Sequence, residues 1–303
     1  MYLTGDAMQW HKLTLNFEGP TLSEDPQTFL DHRLDVTFTH ESGEVIKVPG
    51  YFAADGDAAN TGAIVGNLWQ VTFNQPLTGD WTWTAEFRVG DEIAVRSAEG
   101  QSGGFFDGDS GSLSIADSDK SGLDLRGKGV LEYDVGQYLS FAGTGETFLK
   151  SGVGSPENFL GYSGFDDTPD SHDYAPHLGD FKAGDPTWDG GKGKGIIGAV
   201  NYLAEHEVNS AYMMLMNIAG DGRDVSPWSD TTLYNINKNA SPDLDERAQS
   251  FDVSKLDQWE IVFGHMQEKG INLHLFLQET ENDHLLNDGD LGIERMLYVR
   301  EMV

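Results

Sequence analysis

The chain has 303 residues, 38% of them hydrophobic and 11% aromatic, which is enough to bury cores in two domains of ordinary size. Asp and Glu total 50 against 19 Lys and Arg, a formal charge of −31, and that field repels phosphate backbones, so no nucleic-acid partner is expected. The absence of cysteine excludes disulfides and thiolate metal sites, and no apolar run approaches the roughly 18 residues that a membrane span needs. The opening MYLTGDAMQWHKLTLNF shows neither the basic start nor the apolar core of a signal peptide.

Residues 1–117 alternate at period two between Gly, Pro and Asp turns. WHKLTLNF, RLDVTFTH, EVIKVPGYF, NLWQVTFNQP and DWTWTAEFRV each predict a half-buried strand, and GSLSIAD (111–117) predicts a last one. Short strands at this spacing, with no helical pattern among them, predict an antiparallel immunoglobulin-like β-sandwich. The alternation makes Trp69, Trp81 and Trp83 core residues. Residues 118–145, which contain GVLEYDVGQYLSFAG, predict a connecting β-hairpin. DSDKSGLDLRGK (117–128) begins like a calcium loop, but Lys128 occupies the position of the bidentate glutamate, so no metal is expected there.

From residue 146 to 303 the rhythm changes. TFLKSGVG (147–154) predicts a short strand, KGIIGAVNYLAEHEV (194–208) a helix, and NSAYMMLMN (209–217) a second strand. DVSKLDQWEIVFGHMQEKG (252–270) predicts a helix capped near Asp252 or Ser254 and closed by Gly270. INLHLFL (271–277) predicts a third strand, and ERMLYVREMV opens a third helix. Apolar strands alternating with helices predict a parallel sheet covered by helices.

The connections are lopsided: each helix runs quickly into its next strand, whereas long polar excursions (155–193 and 218–251) follow the strands. That asymmetry predicts the start of a (β/α)8 TIM barrel, with its chemistry at the carboxyl ends of the strands. A full barrel takes about 250 residues. From Thr147 to Val303 there are 157 positions, which hold three strand–helix units, and the chain stops inside an amphipathic helix. The expectation is a multi-domain fragment of a longer protein, catalytically silent alone because three units cannot close a barrel.

WHKLTLNFEGP, FLDHRLDVTFTH, VPGYFAADGDAA and TGDWTWTAEFRVG resemble domain of unknown function 5060. DKSGLDLRGKGVLEY, FLKSGVGSPENFL, FDVSKLDQWEIVFGHMQEKGI and LQETENDHLLNDGDLGIERMLYVRE are similar to the glycoside-hydrolase-like barrel that follows this module. The resemblance implies an immunoglobulin-like module at the front of a secreted, extracellular or periplasmic protein of polysaccharide breakdown, with a carbohydrate substrate. It also implies an acid/base after barrel strand four and a nucleophile after strand seven, both outside these three units.

Three strand ends carry candidate groups. GSPENF supplies Ser155, Glu157 and Asn158; NIAGDGRDVSPW supplies Asn217, Asp221, Arg223, Asp224 and Trp228; QETEND supplies Gln278, Glu279, Asn282 and Asp283. Sugars need carboxylates and amides for paired hydroxyls and a flat aromatic for the apolar ring face. Glu279 is the candidate catalytic carboxylate. Glu157, Asn158, Asn217, Asp221, Trp228, Gln278, Asn282 and Asp283 are the candidate substrate-binding residues. The competing assignment makes them caps, turns and solvated loop residues.

Parity places Asn272, His274, Phe276 and Gln278 on one face of strand three, with His274 in the barrel core, and Ile271, Leu273, Leu275 and Leu277 on the other. Lys192 and Lys194 stand at a helix N-terminus, where an anionic group of an acidic polysaccharide would fit, but the expectation is a solvated loop. His265, His274 and His284 show no zinc spacing, and no cofactor is expected. A non-catalytic carbohydrate-binding or cell-surface protein is the alternative function.

Overall fold

The computed structural model describes residues 1–133, 136–152, 157–236, 244, 246–282, 285–286 and 292–302. In chain order its strands are β1 (Tyr2–Gly5), β2 (Lys12–Ser23), β3 (His32–His40), β4 (Val45–Pro49), β5 (Tyr51–Phe52), β6 (Val65–Asn74), β7 (Gly79–Val89), β8 (Gln101–Ser102) and β9 (Ser110–Ile115). Two short helices interrupt them, α1 (Pro26–Leu30) and α2 (Ala58–Thr61). There follow β10 (Leu131–Tyr133), β11 (Leu139–Phe141), β12 (Thr147–Phe148), α3 (Lys194–Glu205), β13 (Ser210–Met214), α4 (Val253–Glu268), β14 (Asn272–Phe276) and α5 (Ile293–Met302). The chain forms two compact units: 1–22, 30–56 and 66–150 make the first, and 23–29, 57–65 and 151–303 the second.

The first unit is built from antiparallel sheets. One runs in the order β1-β2-β6-β5; another runs β4-β3-β7-β8, with β9 also paired to β7. Alternation decides what faces inward: Leu13, Leu15 and Phe17 of β2 and Trp81, Trp83, Ala85 and Phe87 of β7 are all buried. Rings from the two sheets meet in the core, with Phe38 stacked on Phe73 at 3.9 Å and Trp69 edge-on to Phe87 at 5.0 Å. Trp69, Trp81 and Trp83 are buried, as their alternation predicts.

Within 118–145, β10 and β11 pair antiparallel, and β12, just beyond, adds a third strand. Leu139 of β11 pairs with both Tyr133 of β10 and Phe148 of β12, giving a three-stranded antiparallel sheet. This corrects the expectation of a parallel strand over 147–154, since Thr147 and Phe148 are taken by β11. The chain reaches the parallel layer only afterwards: the Asn209 N–H donates to the Ser151 carbonyl, and the Met214 N–H to the Glu157 carbonyl.

In the second unit β13 and β14 pair in parallel from Ser210↔Asn272 to Met214↔Phe276. Ala211, Met213, Leu215 and Ile271 pack with Ile196, Ile197 and Val200 of α3 and with Trp259, Val262 and Met266 of α4. Leu273 and Leu277 pack against the same cluster, on the face that parity assigns to the helix layer, whereas Leu275 of that face is exposed. Helix α4 starts where the Asp252 carboxylate accepts the Lys255 N–H, and Gly270 follows its end at φ +80°. No closed barrel forms among the described residues, which hold antiparallel sheets, a two-stranded parallel sheet and a few helices. On the sheet face away from the helices, His274 is exposed beside Tyr212 (5.7 Å) and Phe276 (4.7 Å), not enclosed in a barrel core as expected.

Candidate functional site

The carboxyl ends of β13 and β14 lead into two loops that touch. After β13, the chain turns through Asn217–Val225 around one side chain. The Asn217 Oδ1 accepts the N–H groups of Asp224 (2.9 Å) and Val225 (2.7 Å), and its Nδ2 donates to Asp224 Oδ1 (3.0 Å) and Asn158 Oδ1 (3.1 Å). That uses all four hydrogen-bonding places of a carboxamide, in a side chain 1% exposed. Asn217 therefore builds the loop and has no capacity left for a ligand. Ala219 (φ +57°) and Arg223 (φ +64°) hold left-handed backbone within this turn, strain of the kind that loops at functional sites carry.

Two glycines let the loop lie against its neighbours. A Cβ on Gly222 would come 2.2 Å from Asn217 Nδ2 and 2.3 Å from Asn158 Oδ1. A Cβ on Gly220 would come 1.3 Å from Glu279 Oε1, so any side chain there would displace the carboxylate. The spacing in NIAGDGRD is the signal for this close approach, which strand-end polarity alone misses.

Glu279 sits on the loop after β14. Its carboxylate accepts the Asp221 N–H, while its buried Oε1 has no hydrogen-bond partner among the described residues. Burial raises the carboxyl above its ordinary value; the charges of Glu281, Asp221 and Glu157 add to this, and the Asp221 N–H opposes it. The Tyr212 phenol is raised by burial and then by Glu157 and Glu279, which places all three groups within electrostatic reach. Tyr212 is a site neighbour that the apolar run SAYMM conceals.

The other candidates divide. Asn282 is 0% exposed; its Oδ1 accepts the Glu279 N–H (3.0 Å), and its Nδ2 donates to the carbonyls of Ile218 (3.1 Å) and Met216 (3.4 Å). It ties the two loops together from within. Trp228 is 0% exposed, lying against Tyr298 (5.4 Å) and Phe251 (6.3 Å), so it offers no ring face to a sugar. Gln278 is half-buried and donates to the Asn282 carbonyl (3.3 Å). Asp221 is exposed, and Glu157 and Asn158 are half-buried. Ser155, Asp283 and His284 lie outside the described residues.

A partner of the site that the sequence does not announce is His172, whose Nε2 lies 3.0 Å from Asp224 Oδ2. Asp224 is buried, with Gly161 pressed so closely that a Cβ there would lie 2.6 Å from its Cγ. The start of α3, weighed as an anion site, is filled from within. The Tyr162 phenol accepts the N–H groups of Gly193 and Gly195 there, and Lys192 pairs with Asp189 (2.6 Å) and Asp166 (3.6 Å). In the first unit an open cavity of about 510 Å³ is lined by His40, Asp80 and Trp81 among others. His40 already bonds Ser42 Oγ (2.8 Å) and the Thr78 carbonyl (2.9 Å), and Trp81 is buried, so the cavity offers little to a ligand. Among the described residues no group of three or more His, Asp or Glu side chains could hold a metal, and no helix is long and apolar enough to cross a membrane.

Residues 6–88 match the family described as a domain of unknown function (DUF5060). No curated protein matches the sequence. The fold is similar to the crystal structure of a putative glycoside hydrolase from Bacteroides vulgatus, with a TM-score of 0.60 and 12% identical residues. That similarity covers 97% of this chain and 46% of the other, so the chain spans about half the length of the solved structure it matches.

Proposed function

We propose that this chain is the N-terminal portion of a secreted, polysaccharide-degrading glycoside hydrolase. In this reading residues 1–117 are an immunoglobulin-like accessory domain, 118–145 a connector, and 146–303 the first part of a (β/α)8 barrel. The observation that carries it is Glu279: a strand-end carboxylate with one buried, unpartnered oxygen and an elevated proton affinity, beside Glu157 and Tyr212. Glycoside cleavage uses paired carboxylates, one of which must hold a proton at working pH to protonate the leaving oxygen. Burial among other carboxylates favours the protonated form of Glu279, which suits it to that role or to donating to a sugar oxygen next to the reacting bond. The fold likeness to a chain described as a putative glycoside hydrolase supports the same reading. Asp221, Asn158, Glu157 and Gln278 are the side chains left to hold hydroxyls, whereas Asn217 and Asn282 position the loops that carry them.

The test is Glu279→Gln in the complete protein. Turnover of a cleaved polysaccharide should fall a hundredfold or more, with the melting temperature unchanged or slightly raised, because the variant removes a carboxylate from a cluster of carboxylates. Unchanged turnover would make Glu279 a loop residue and favour a non-catalytic carbohydrate-binding protein.

A further inference from the structure

We propose that His172 is a contact residue for a neutral saccharide in this same site, accepting a sugar hydroxyl through Nδ1 while Asp224 holds the ring. The inference rests on the carbohydrate reading above and adds to it a residue and a substrate class.

The argument begins with Asp224. Its side chain is 3% exposed, and its two oxygens have different partners: Oδ1 takes the Asn217 amide at 3.0 Å, and Oδ2 faces His172 Nε2 at 3.0 Å. A carboxylate facing a ring nitrogen at this distance favours the hydrogen on Nε2. In the neutral ring that leaves Nδ1 as a lone-pair acceptor, with the tautomer fixed by the buried partner. The backbone is fixed as well: Tyr162 and His172 form an isolated bridge, and the Ser163 N–H donates to the His172 carbonyl at 2.8 Å. Yet the imidazole remains 45% exposed. A ring anchored at one nitrogen, on a braced backbone, with the rest open, is preorganised for a ligand.

Its location follows from the hydrogen bonds. The Asn217 amide bonds Asn158 and Asp224 with the same nitrogen, so His172 is joined through Asp224 and Asn217 to Asn158. Gly220 and Gly222 of the intervening loop touch Glu279 and Asn158 respectively. One of the candidate hydroxyl ligands, Asn158, thus belongs to one connected network with His172.

Charge selects the substrate class. Glu279 lies within electrostatic reach of Glu281, Asp221 and Glu157. Arg223, on the same loop, turns its Nε to the Gly220 carbonyl (3.4 Å), and no ion pair joins it to these carboxylates among the described residues. A uronate or sulfate ester would meet net repulsion there, whereas a neutral sugar would meet a set of acceptors for its hydroxyls. A neutral imidazole acceptor adds to that set without adding charge.

The competing role for His172 is a latch that pins its loop to Asp224, and two variants separate the roles. His172→Gln can keep a donor to Asp224 and replaces the ring Nδ1 by an amide oxygen on a flexible chain, displaced from the Nδ1 position; His172→Ala loses both. Binding of xylohexaose, cellohexaose, galactohexaose and hexagalacturonate to the complete protein is followed by calorimetry, with melting temperature as the control. The expected result is affinity for a neutral hexasaccharide that falls tenfold or more in both variants, with the melting temperature of His172→Gln held. Nitrogen NMR should show the wild-type ring protonated at Nε2. If His172→Gln binds like the wild type, His172 is a latch and only this inference fails. Preference for hexagalacturonate, or a ring protonated at Nδ1, overturns it too. If the wild type binds none of the four sugars, the inference falls together with the carbohydrate reading; if it binds a sugar without needing His172, the carbohydrate reading survives.

Discussion

Glu24 belongs to the segment 23–29 that forms part of the second unit, and it supports the start of α4: its Oε1 accepts the Val253 N–H at 2.8 Å. Burial pushes its carboxyl from 4.5 to about 8; Asp252 and Asp167 add to this, and the Val253 N–H and Lys255 oppose it. Because the folded value lies above the unfolded one, stability from this group is fully present below pH 4.5 and is lost as pH rises through 8. A span from 4.5 to about 8, at about 1.36 kcal/mol per pH unit, corresponds to about 5 kcal/mol if the site were sealed. Glu24 is only half-buried, so water screens part of this, and about 2–3 kcal/mol is the expected effect. Glu24→Gln keeps an acceptor for Val253 and removes the titration. Melting curves of both proteins from pH 5 to pH 9.5 should therefore diverge, with the variant roughly 5–10 °C more stable at the alkaline end relative to its position at the acid end. Asp167 and Glu279 are also raised and tilt both curves alike, so the difference between the proteins is the quantity to read. Parallel curves would show that the Glu24 carboxylate is hydrated and that the account of the α4 start is wrong.

Periodicity made the regular elements legible in the sequence, because burial on one face imposes a repeat of two on β7 and of about 3.6 on α4. The parity of β14 was legible for the same reason, with Leu273 and Leu277 toward the helices and His274 and Phe276 away from them. Pairing partners were not. TFLKSGVG has the composition of a buried strand, but whether Thr147 joins β11 or β13 depends on long-range contacts that no local pattern encodes.

The site was legible at the level of strand ends and loops, not at the level of roles. Asn217 and Asn282 stand where sugar-binding amides would stand, and only coordinates show that their hydrogen-bonding capacity is already filled. Trp228 sits in a polar loop and reads as a platform until Tyr298 and Phe251, distant in sequence, close over it. His172 and Asp224 are paired only by the fold, and DSHDY gives no local sign of it.

Three further outcomes follow from the same contacts. Trp228→Ala should cost about 3–5 kcal/mol in chemical denaturation; lost sugar affinity at unchanged stability would restore it as a platform. Lys255→Met should cost about 3–5 kcal/mol, because Lys255 is fully buried and its ion pair at 3.0 Å is the partner of Asp252 Oδ2 among the described residues; a neutral result would mean that water reaches Asp252. Asn217→Ala should act through the loop. It leaves the N–H groups of Asp224 and Val225 without their acceptor and Asp224 Oδ1 without its donor, in a buried setting. Each stranded group costs about 1–3 kcal/mol, so a loss of about 2–4 kcal/mol is expected where the loop relaxes enough to recover part of it. The freed backbone should open around Arg223, which is exposed, and trypsin cleavage after that residue should accelerate at least tenfold. Asn217→Asp is the comparison: it keeps the acceptor for both N–H groups, so cleavage should stay slow, but it loses the donor to Asp224 and Asn158 and sets a second carboxylate beside Asp224, so stability should still fall. Equal cleavage rates for wild type and Asn217→Ala would mean that the strained turn at Ala219 and Arg223 is held by something other than this amide.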